Sequence, residues 1–487
     1  MRLRSDGVEP IRPGDGTSRR GNATDTGSQG RGPRFCVVAG PAGSRRSLID
    51  HPARYVVTSF LIAISAGTVL LVLPVSSSPG RSTSLLTAAF TSTSAVCVTG
   101  LSVVDTASHW SAFGQVVILG LVELGGLGFM TIASMIVVLM SRRLGLRRQL
   151  VTTTERGVLS LGDLRSVLRG LALVTLTVQL SVAVVLALRF WSSTDLGPGR
   201  AVWYGAFHSV MAFNNAGFSL YPDNLVRFAG DWMILVPIMV AIIIGGLGFP
   251  VLVDLFRHRV RWSRLSFHSK VTIATTAALL AVGFVVLTTF EWRNPGTFGP
   301  MPIPEKLLNG TFASVTPRTA GFNTVDIASM RPESQLSTIA LMFVGAGSAG
   351  TSGGIKVGTF AVLAMVVWSQ LRGDRDANGF KRRLPDSTVH QALTVTAVAL
   401  TVVVGAAAVM LASAELPLGA ALFEAVSAFG TVGLSTGITP RLPGFDQLVL
   451  MFLMLVGRVG PITLGAALVL RSRPALYRYP EEAPLIG

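Results

Sequence analysis

Four short stretches of the chain share a central glycine, and their residues could present main-chain carbonyl oxygens to a cation. They read FTSTSAVCVTGLS (90–102), FHSVMAFNNAGFS (207–219), TFASVTPRTAGFN (311–323) and FEAVSAFGTVGLS (423–435). The side chains just before the glycines share no charge and no coordinating group, so the ligands must be main-chain oxygens. Carbonyls in such a strand can replace the hydration shell of an ion, and the glycine supplies the backbone freedom that the strand requires.

The repeat predicts a filter of four strands around one axis. The predicted ion-binding residues are Val98, Thr99, Gly100 and Leu101; Asn215, Ala216, Gly217 and Phe218; Thr319, Ala320, Gly321 and Phe322; and Thr431, Val432, Gly433 and Leu434. A second register follows each glycine downstream, as GGLGF (125–129), GGLGF (245–249), GAGSA (345–349) and GRVGP (457–461). Two registers in the same order indicate an internal repeat rather than chance.

The elements that must position these strands are apolar helices. Half of the residues are hydrophobic, 14% are charged, and the mean hydropathy is +0.57, which is typical of a membrane protein. Eight runs approach the ~20 residues that cross a bilayer, at 55–74, 113–140, 166–190, 231–256, 269–290, 335–369, 387–413 and 446–471. Each glycine stretch between alternate runs contains a short semi-apolar segment, which predicts a re-entrant helix.

The predicted fold is therefore an all-α polytopic membrane protein with four tandem units of helix, pore helix, filter and helix. Eight spanning and four re-entrant helices would surround one central pore with pseudo-fourfold symmetry. Irregular backbone at membrane depth must line water or be buried in protein, and helix carbonyl ends aimed at the pore would favour a cation over an anion. The predicted boundaries are 1–50 (disordered basic cytoplasmic tail), 51–141, 142–257, 258–384 and 385–472 (units 1 to 4), and 473–487 (cytoplasmic C-terminal segment).

The net charge of +16 orients the chain. Basic residues cluster at 142–156, 257–264 and 372–383 and after the last apolar run, whereas the alternate connections are poor in them. By the positive-inside rule, both termini are expected in the cytoplasm, and a nucleic-acid role is excluded. No cleavable signal peptide is expected, because some fifty polar residues precede the first apolar run, and Cys36 and Cys97 imply no disulfide framework.

The sixth apolar run contains a segment that no helix would favour. Residues 345–354 read GAGSAGTSGG, with glycines at Gly345, Gly347, Gly350, Gly353 and Gly354. Each interior glycine costs a helix roughly 1 kcal/mol relative to alanine, so we expect an unwound flap below the filter. The alternative is close helix packing through small residues. Lys356, at the end of the segment, is either a latch for the flap or a side chain that snorkels to the interface.

Four ionisable residues stand at membrane depth. Arg458 takes the place held by Gly126, Gly246 and Ala346 in the other units, and it predicts either a positive barrier in the pore or a structural salt bridge. Glu424 and Arg318 lie near the filter strands; we expect them either to pair as a brace or to belong to a proton relay that could include Glu123.

The sequence does not contain the motifs expected of a nucleotide-binding protein, a metalloprotein or an enzyme. The sequence has no nucleotide-binding glycine motif on a strand–helix pattern, no metal-ligand cluster and no nucleophile with an ordered base. An intramembrane enzyme would need paired catalytic residues, and His208 is interpreted as structural. Cation transport is the prediction, with no resident cofactor, and a gated channel and a sodium-coupled carrier both stay open.

Across residues 50–472, the motifs TPRTAGFN, GSAGTSGGIK and GRVGPITL resemble the potassium-translocating subunit of bacterial Ktr and Trk uptake systems, related to plant HKT transporters. The resemblance is greater to the Ktr type, because the two extra N-terminal helices usual in Trk subunits are not found. It implies potassium preference from a glycine in all four strands, a mobile gate at 345–354 and a pore barrier at Arg458. It also implies a homodimer and a ring of nucleotide-binding regulatory subunits that dock on the basic cytoplasmic loops.

Overall fold

The computed structural model describes residues 52–128, 161–259, 261–374 and 376–470. The predicted tail (1–50), the basic connection at 142–156 and the C-terminal segment (473–487) lie outside these residues. The described chain is mostly helical, and its one sheet is a two-stranded antiparallel hairpin of β1 (Asn378–Gly379) and β2 (Arg382–Arg383). The all-helical prediction is confirmed, whereas the hairpin was not predicted.

Helices of four residues or more make up most of the described chain. In chain order, they are α1 (Pro52–Val72), α2 (Leu85–Val96), α3 (Thr106–His109), α4 (Ala112–Gly128), α5 (Leu161–Ser193), α6 (Pro198–Asn214), α7 (Trp232–Leu247), α8 (Phe249–Arg257), α9 (Phe267–Glu291), α10 (Ile303–Val315), α11 (Pro332–Phe343), α12 (Val357–Leu371), α13 (Asp386–Ser413), α14 (Leu418–Gly430) and α15 (Gly444–Leu470).

The four short helices α2, α6, α10 and α14 each end just before a filter stretch. They contain 12, 17, 13 and 13 residues, and even the longest spans only about 26 Å, less than the ~30 Å of a bilayer core. The hydroxyl of Ser84 accepts a hydrogen bond from the amide of Thr87 and so begins α2, while α6 begins on Gly197 and Pro198.

The core lies around these short helices. A phenylalanine nine or ten residues before each filter glycine is at most 1% exposed, and the four are Phe90, Phe207, Phe312 and Phe423. Large apolar side chains on the long helices instead face outward, such as Leu173, Leu176 and Leu180 on α5. That distribution is expected where lipid, rather than water, surrounds the outer surface.

Among the described residues, three helices are long and apolar enough to cross a membrane, namely α9, α13 and the part of α5 at Arg169–Ser193. The pair α7 and α8 counts as a fourth if it is one span, although the two helices meet at an angle of 97°. A continuous span over 231–256 was predicted, and this continuity is wrong. Gly248 has φ of +90°, and a proline lies in the first turn of α8, so the helix ends and restarts there.

The predicted interruption of the sixth apolar run is present. Helix α11 ends at Phe343, α12 begins at Val357, and residues 344–356 between them are irregular. The two ends of this segment come together, because Val344 and Ile355 form an isolated parallel bridge. The segment is called the flap loop below.

Candidate functional site

The backbone of all four filter stretches bends in the same way. The residue two before the glycine has φ of +58° at Val98, +61° at Asn215, +74° at Thr319 and +50° at Thr431. The glycines follow with φ of +90° at Gly100, +66° at Gly217, +73° at Gly321 and +92° at Gly433. Positive φ is uncommon outside glycine, so its recurrence at one register in four copies marks a shared, strained conformation.

The four glycines approach one another in chain order and close a ring. A β-carbon built on Gly100 would lie 2.1 Å from the carbonyl oxygen of Ala216, and one on Gly217 would lie 3.0 Å from that of Ala320. The corresponding distances are 2.5 Å from Gly321 to the oxygen of Val432 and 2.2 Å from Gly433 to that of Thr99. The fourth strand therefore returns to the first, and the approach leaves room for glycine alone.

The ring opens on one side into a cavity of about 430 Å³ that all four glycines line. Three carboxylates also line it, from Asp105, Asp223 and Asp326. Each is held in place: Asp105 accepts the amides of Ala107 and Ser108, Asp223 pairs with Arg227 at 2.8 Å, and Asp326 accepts the amide of Ala328. Fixed negative groups around a cavity raise the local concentration of cations.

The second glycine register lies where long helices touch the short ones. A β-carbon on Gly125 would lie 2.0 Å from the carbonyl oxygen of Val96, at the end of α2. For Gly245 the distance to the oxygen of Phe213 is 1.9 Å, and for Gly457 the distance to that of Phe429 is 1.7 Å. Val96, Phe213 and Phe429 each precede their filter glycine by four residues, so this register sets how closely the supporting helices approach the filter. Gly345 differs, because its contact is with Gly353 of the flap loop.

The flap loop is held by main-chain hydrogen bonds to the break between α7 and α8. The amide of Gly347 donates to the carbonyl of Gly246 (2.8 Å), and that of Thr351 donates to Gly245 (3.3 Å). In the other direction, the amide of Phe249 donates to the carbonyl of Ala349 (3.3 Å). Two interrupted helices thus satisfy each other's backbone groups, as irregular segments at membrane depth require.

The flap loop also lies against two of the filter strands. The Asn215 side-chain amide donates to the hydroxyl of Ser352 at 3.2 Å. A β-carbon on Gly353 would lie 2.3 Å from the hydroxyl oxygen of Thr431. The five glycines of the predicted gate therefore belong to a segment that is in direct contact with the predicted filter strands. Within that segment, Lys356 donates to the carbonyl of Ser352.

Arg458 is 1% exposed and connects three parts of the chain. From α15, its guanidinium donates to the carbonyl of Thr351 in the flap loop and to that of Gly125 in α4 at 3.1 Å. These main-chain acceptors were not foreseen from the sequence. Arg458 thus links the flap loop to a supporting helix through main-chain carbonyls.

The expected pair of Glu424 and Arg318 is wrong. The guanidinium of Arg318 donates to the carbonyl of Gly345 at 3.2 Å, and no ion pair among the described residues joins it to Glu424. Glu424 instead accepts the Ser435 hydroxyl at 2.5 Å and the Thr436 amide at 3.1 Å. The chain turns back along α14 after the filter, so a residue on that helix meets its own strand before it meets another unit.

Two further side chains support the filter from behind. Glu123 on α4 accepts hydrogen bonds from Gln179 (3.0 Å) and Asn214 (2.6 Å), so it joins α4, α5 and α6. His208 is fully buried, with Nδ1 2.8 Å from the carbonyl of Tyr204, which agrees with its interpretation as structural. Its Nε2 lies 3.0 Å from the hydroxyl of Ser219, a contact that the sequence did not predict.

Comparison with known proteins gives a consistent result. A family model described as TrkH, cation transport protein, matches residues 44–473. The chain is 37% identical over 436 residues to the Ktr system potassium uptake protein B of Bacillus subtilis, covering 90% of this chain and 97% of the relative. It is 36% identical to the protein of the same name from Vibrio alginolyticus (92% and 97% covered). It is also 36% identical to the potassium/sodium uptake protein NtpJ of Enterococcus hirae (90% and 97%).

Among solved structures, the fold is similar to that of the potassium transporter TrkH from Vibrio parahaemolyticus. The TM-score is 0.68 at 18% sequence identity, and the match covers 90% of this chain and 88% of the other.

Proposed function

Because the chain belongs to the TrkH family of cation transport proteins, we propose that it takes up potassium across the cell membrane through a filter of four backbone strands. Family membership places it among transport proteins rather than enzymes. The observation that carries the proposal is the closed ring of Gly100, Gly217, Gly321 and Gly433. Each glycine contacts the carbonyl of the residue just before the glycine of the next strand. The two Ktr relatives, named for potassium uptake, support this choice of ion.

The proposed architecture has eight spanning and four re-entrant helices in four units, with pseudo-fourfold order and both termini in the cytoplasm of the plasma membrane. The unit boundaries are those predicted from the sequence. The same positive-φ pattern in four copies and the four buried phenylalanines support the repeat. The short lengths of α2, α6, α10 and α14 support re-entrant helices.

In the filter, the main-chain carbonyls of each glycine and of the residues just before it replace the hydration shell of the ion. The helices α2, α6, α10 and α14 end with their carbonyl groups towards these strands, and so add partial negative charge. The carboxylates of the cavity above the ring supply cations to its entrance. No side-chain ligand is needed.

The proposed gate is the flap loop together with Arg458. A guanidinium about 6 Å from an ion, at an effective dielectric constant near 20, raises the ion's energy by roughly 3 kcal/mol, which is about a hundredfold in occupancy. The buried position of Arg458 and its bond to the Thr351 carbonyl support its role as a barrier that moves with the flap loop. Lys356 is proposed to fasten the end of the loop through the carbonyl of Ser352.

We further propose a homodimer with a cytoplasmic nucleotide-binding regulatory ring. A ligand can shift the equilibrium between two states of the flap loop only if it binds the two states with different affinity. The word "system" in the names of the Ktr relatives supports a second protein component. The proposed docking surface is the basic segments at 142–156, 257–264 and 372–383 and the C-terminal segment, and the structure describes residues of the second and third of these. There Phe380 packs its ring 6.3 Å from the rings of both Trp262 and Phe267, which joins the two loops. The alternative is that this charge only sets the topology.

The filter is tested by Gly100→Ser, with Gly80→Ser as the matched control. Both glycines have positive φ, +90° and +67°, so both substitutions strain the backbone. Only Gly100 has a neighbouring strand in contact with it, whereas nothing lies within 4 Å of a β-carbon on Gly80. We expect Gly100→Ser to weaken the preference for potassium over sodium in competition with rubidium uptake, and Gly80→Ser to leave it unchanged. Equal selectivity in both folded variants would show that the filter lies elsewhere.

A second candidate function is sodium-coupled or weakly selective transport of potassium and sodium by the same fold. The name of the relative called potassium/sodium uptake protein, at 36% identity, supports this second candidate. Rubidium uptake into proteoliposomes with and without external sodium separates the two. A strict requirement for sodium would establish coupling, and sodium-independent flux would favour the channel.

A further inference from the structure

Two fully buried side chains occupy the same repeat position and hold the serine that follows the filter glycine. His208 and Glu424 each precede their glycine by nine residues, and Ser219 and Ser435 each follow it by two. The distance from His208 Nε2 to the Ser219 hydroxyl is 3.0 Å, and that from Glu424 Oε1 to the Ser435 hydroxyl is 2.5 Å. Different residue types thus make the same contact in units 2 and 4.

The direction of the two hydrogen bonds is the same. His208 Nδ1 faces the carbonyl of Tyr204, which can only accept, so in a singly protonated ring Nε2 is the acceptor. In that tautomer the Ser219 hydroxyl donates to His208 rather than to the more distant Asn224 carbonyl (3.3 Å), as the Ser435 hydroxyl donates to Glu424. In both units a buried acceptor behind the strand anchors a hydroxyl just beyond the filter.

Each anchored serine in turn fixes the backbone at the cavity end of its strand. In unit 2, the Ser219 hydroxyl accepts the amide of Tyr221 (3.0 Å), and Asn224 extends its side-chain amide to 3.5 Å from the carbonyl of Gly217. In unit 4, Ser435 accepts the amide of Gly437 (2.9 Å), while Glu424 also receives the Thr439 hydroxyl (2.9 Å). In unit 2 the network thus reaches the Gly217 carbonyl itself, and in unit 4 it fixes the backbone of the residues that follow Gly433.

The other two units lack this device. The position nine before Gly100 is Thr91, whose buried hydroxyl has no hydrogen-bond partner among the described residues. The position nine before Gly321 is the apolar Phe312, and Asn323 bonds within its own loop, to the carbonyl of Val325. Because the strands follow the ring in chain order, the two anchored strands face each other across it, and the two others lie between them.

We propose that Glu424 and His208 are positioning residues that set the ion preference at the cavity end of the filter. By anchoring Ser435 and Ser219, they keep two opposite glycine carbonyls from closing on a cation smaller than potassium. The other two strands are held by different contacts, since the Gly100 amide donates to the Ser94 hydroxyl and the Thr316 hydroxyl donates to the Phe322 carbonyl. This inference rests on the proposed potassium filter, and it assigns the discrimination between potassium and sodium to hydrogen bonds behind the strands.

The test is Glu424→Gln, with Glu291→Gln as the matched control. Glu291 is also fully buried and braces a loop, accepting the Asn294 side-chain amide at 2.6 Å and the Arg331 amide at 2.9 Å, but it does not contact a filter strand. Rubidium uptake into proteoliposomes is measured in competition with potassium and with sodium, beside thermal unfolding. We expect Glu424→Gln to reduce potassium-over-sodium discrimination about fivefold, the size of one weakened hydrogen bond. Glu291→Gln should lower thermal stability similarly and leave discrimination unchanged.

Ser435→Ala is the second variant, because it removes the anchored group and leaves Glu424 in place. It should reproduce the selectivity loss of Glu424→Gln, and the double variant should add little, since both remove one interaction. If Glu424→Gln does not fold, Ser435→Ala decides alone. Unchanged discrimination in Ser435→Ala, or an equal change in Glu291→Gln, would overturn the inference.

The Gly100→Ser variant, measured in parallel, separates this inference from the proposed function. If Gly100→Ser changes discrimination and Ser435→Ala does not, the filter stands and the anchoring role fails. If Gly100→Ser also changes nothing in a folded protein, the proposed filter itself is refuted.

Discussion

The contact between Gly457 and the carbonyl of Phe429 gives the sharpest quantitative prediction. A β-carbon on Gly457 would lie 1.7 Å from that oxygen, 2.7 Å from its carbonyl carbon and 3.1 Å from the Phe429 α-carbon. All three atoms belong to the main chain, so no change of rotamer can relieve the overlap. To reach even 3.0 Å, α15 and the end of α14 must separate by at least 1.3 Å, the difference between 3.0 and 1.7 Å.

For Gly457→Ala, such overpacking costs about 3 kcal/mol, the upper part of the usual range, because the obstacle is rigid. The better helix propensity of alanine offsets about 1 kcal/mol of this. The net ~2 kcal/mol corresponds to a roughly 30-fold lower ratio of the intact to the displaced arrangement. Since Phe429 lies four residues before Gly433, the displacement reaches the predicted filter, and the initial rate of rubidium uptake per folded molecule should fall by up to about that factor.

Gly405→Ala is the control for the same substitution in a long helix. Gly405 lies in α13, and nothing is within 4 Å of a β-carbon there, so alanine should be neutral or slightly stabilising. Uptake into proteoliposomes and thermal unfolding are measured for both variants. If Gly457→Ala transports at the wild-type rate and unfolds no earlier than Gly405→Ala, the close approach does not position the filter and the reasoning is refuted.

Three other outcomes are expected. Arg458→Gln should increase rubidium flux, by up to about a hundredfold if the full charge effect of ~3 kcal/mol acts on the ion. Arg189→Gln, the control, breaks an ion pair with Asp231 outside the flap loop and should not increase flux. A lower flux with Arg458→Gln would contradict the barrier. Deletion of several residues within 345–354 should raise flux and reduce its dependence on any regulator, and a folded deletion no faster than wild type would favour a packing role. The chain should co-purify from native membranes with a nucleotide-binding protein; purification alone, with flux that ignores ATP and ADP even after addition of cytoplasmic extract, would refute the partner.

The sequence predicted the parts of the site that depend on backbone conformation. The overlap of a β-carbon with the neighbouring strand excludes every residue but glycine, so Gly100 and its three counterparts could be found from residue type and register alone. The interruption by the flap loop was predictable for a similar reason, since five glycines in one run cannot favour a helix. The potassium-binding roles of these residues stay predictions.

Contacts between units could not be predicted in the same way. The acceptors of Arg458 are main-chain carbonyls, which carry no residue-type signal, and the pairing of Arg318 with Glu424 failed because opposite charges at similar depth need not meet. The break at Gly248 was missed because the sequence Gly-Phe-Pro at 248–250 is also compatible with a kink in a continuous apolar helix. Its signal was the run's low helix propensity at that point, which hydropathy alone does not report.

The main-chain bonding between the flap loop and the α7–α8 break has a consequence for how the protein tolerates sequence change. Amides and carbonyls of Gly246, Gly347 and Ala349 form the junction, and every residue except proline at an amide position supplies the same groups. Side-chain chemistry is therefore not what this joint requires, but space is: a β-carbon on Gly347 would lie 2.1 Å from the carbonyl oxygen of Leu247, and one on Gly245 would lie 1.9 Å from that of Phe213. Sequence change at this junction is limited by size and not by chemistry, so the two interrupted helices keep their link only while Gly245 and Gly347 stay glycine.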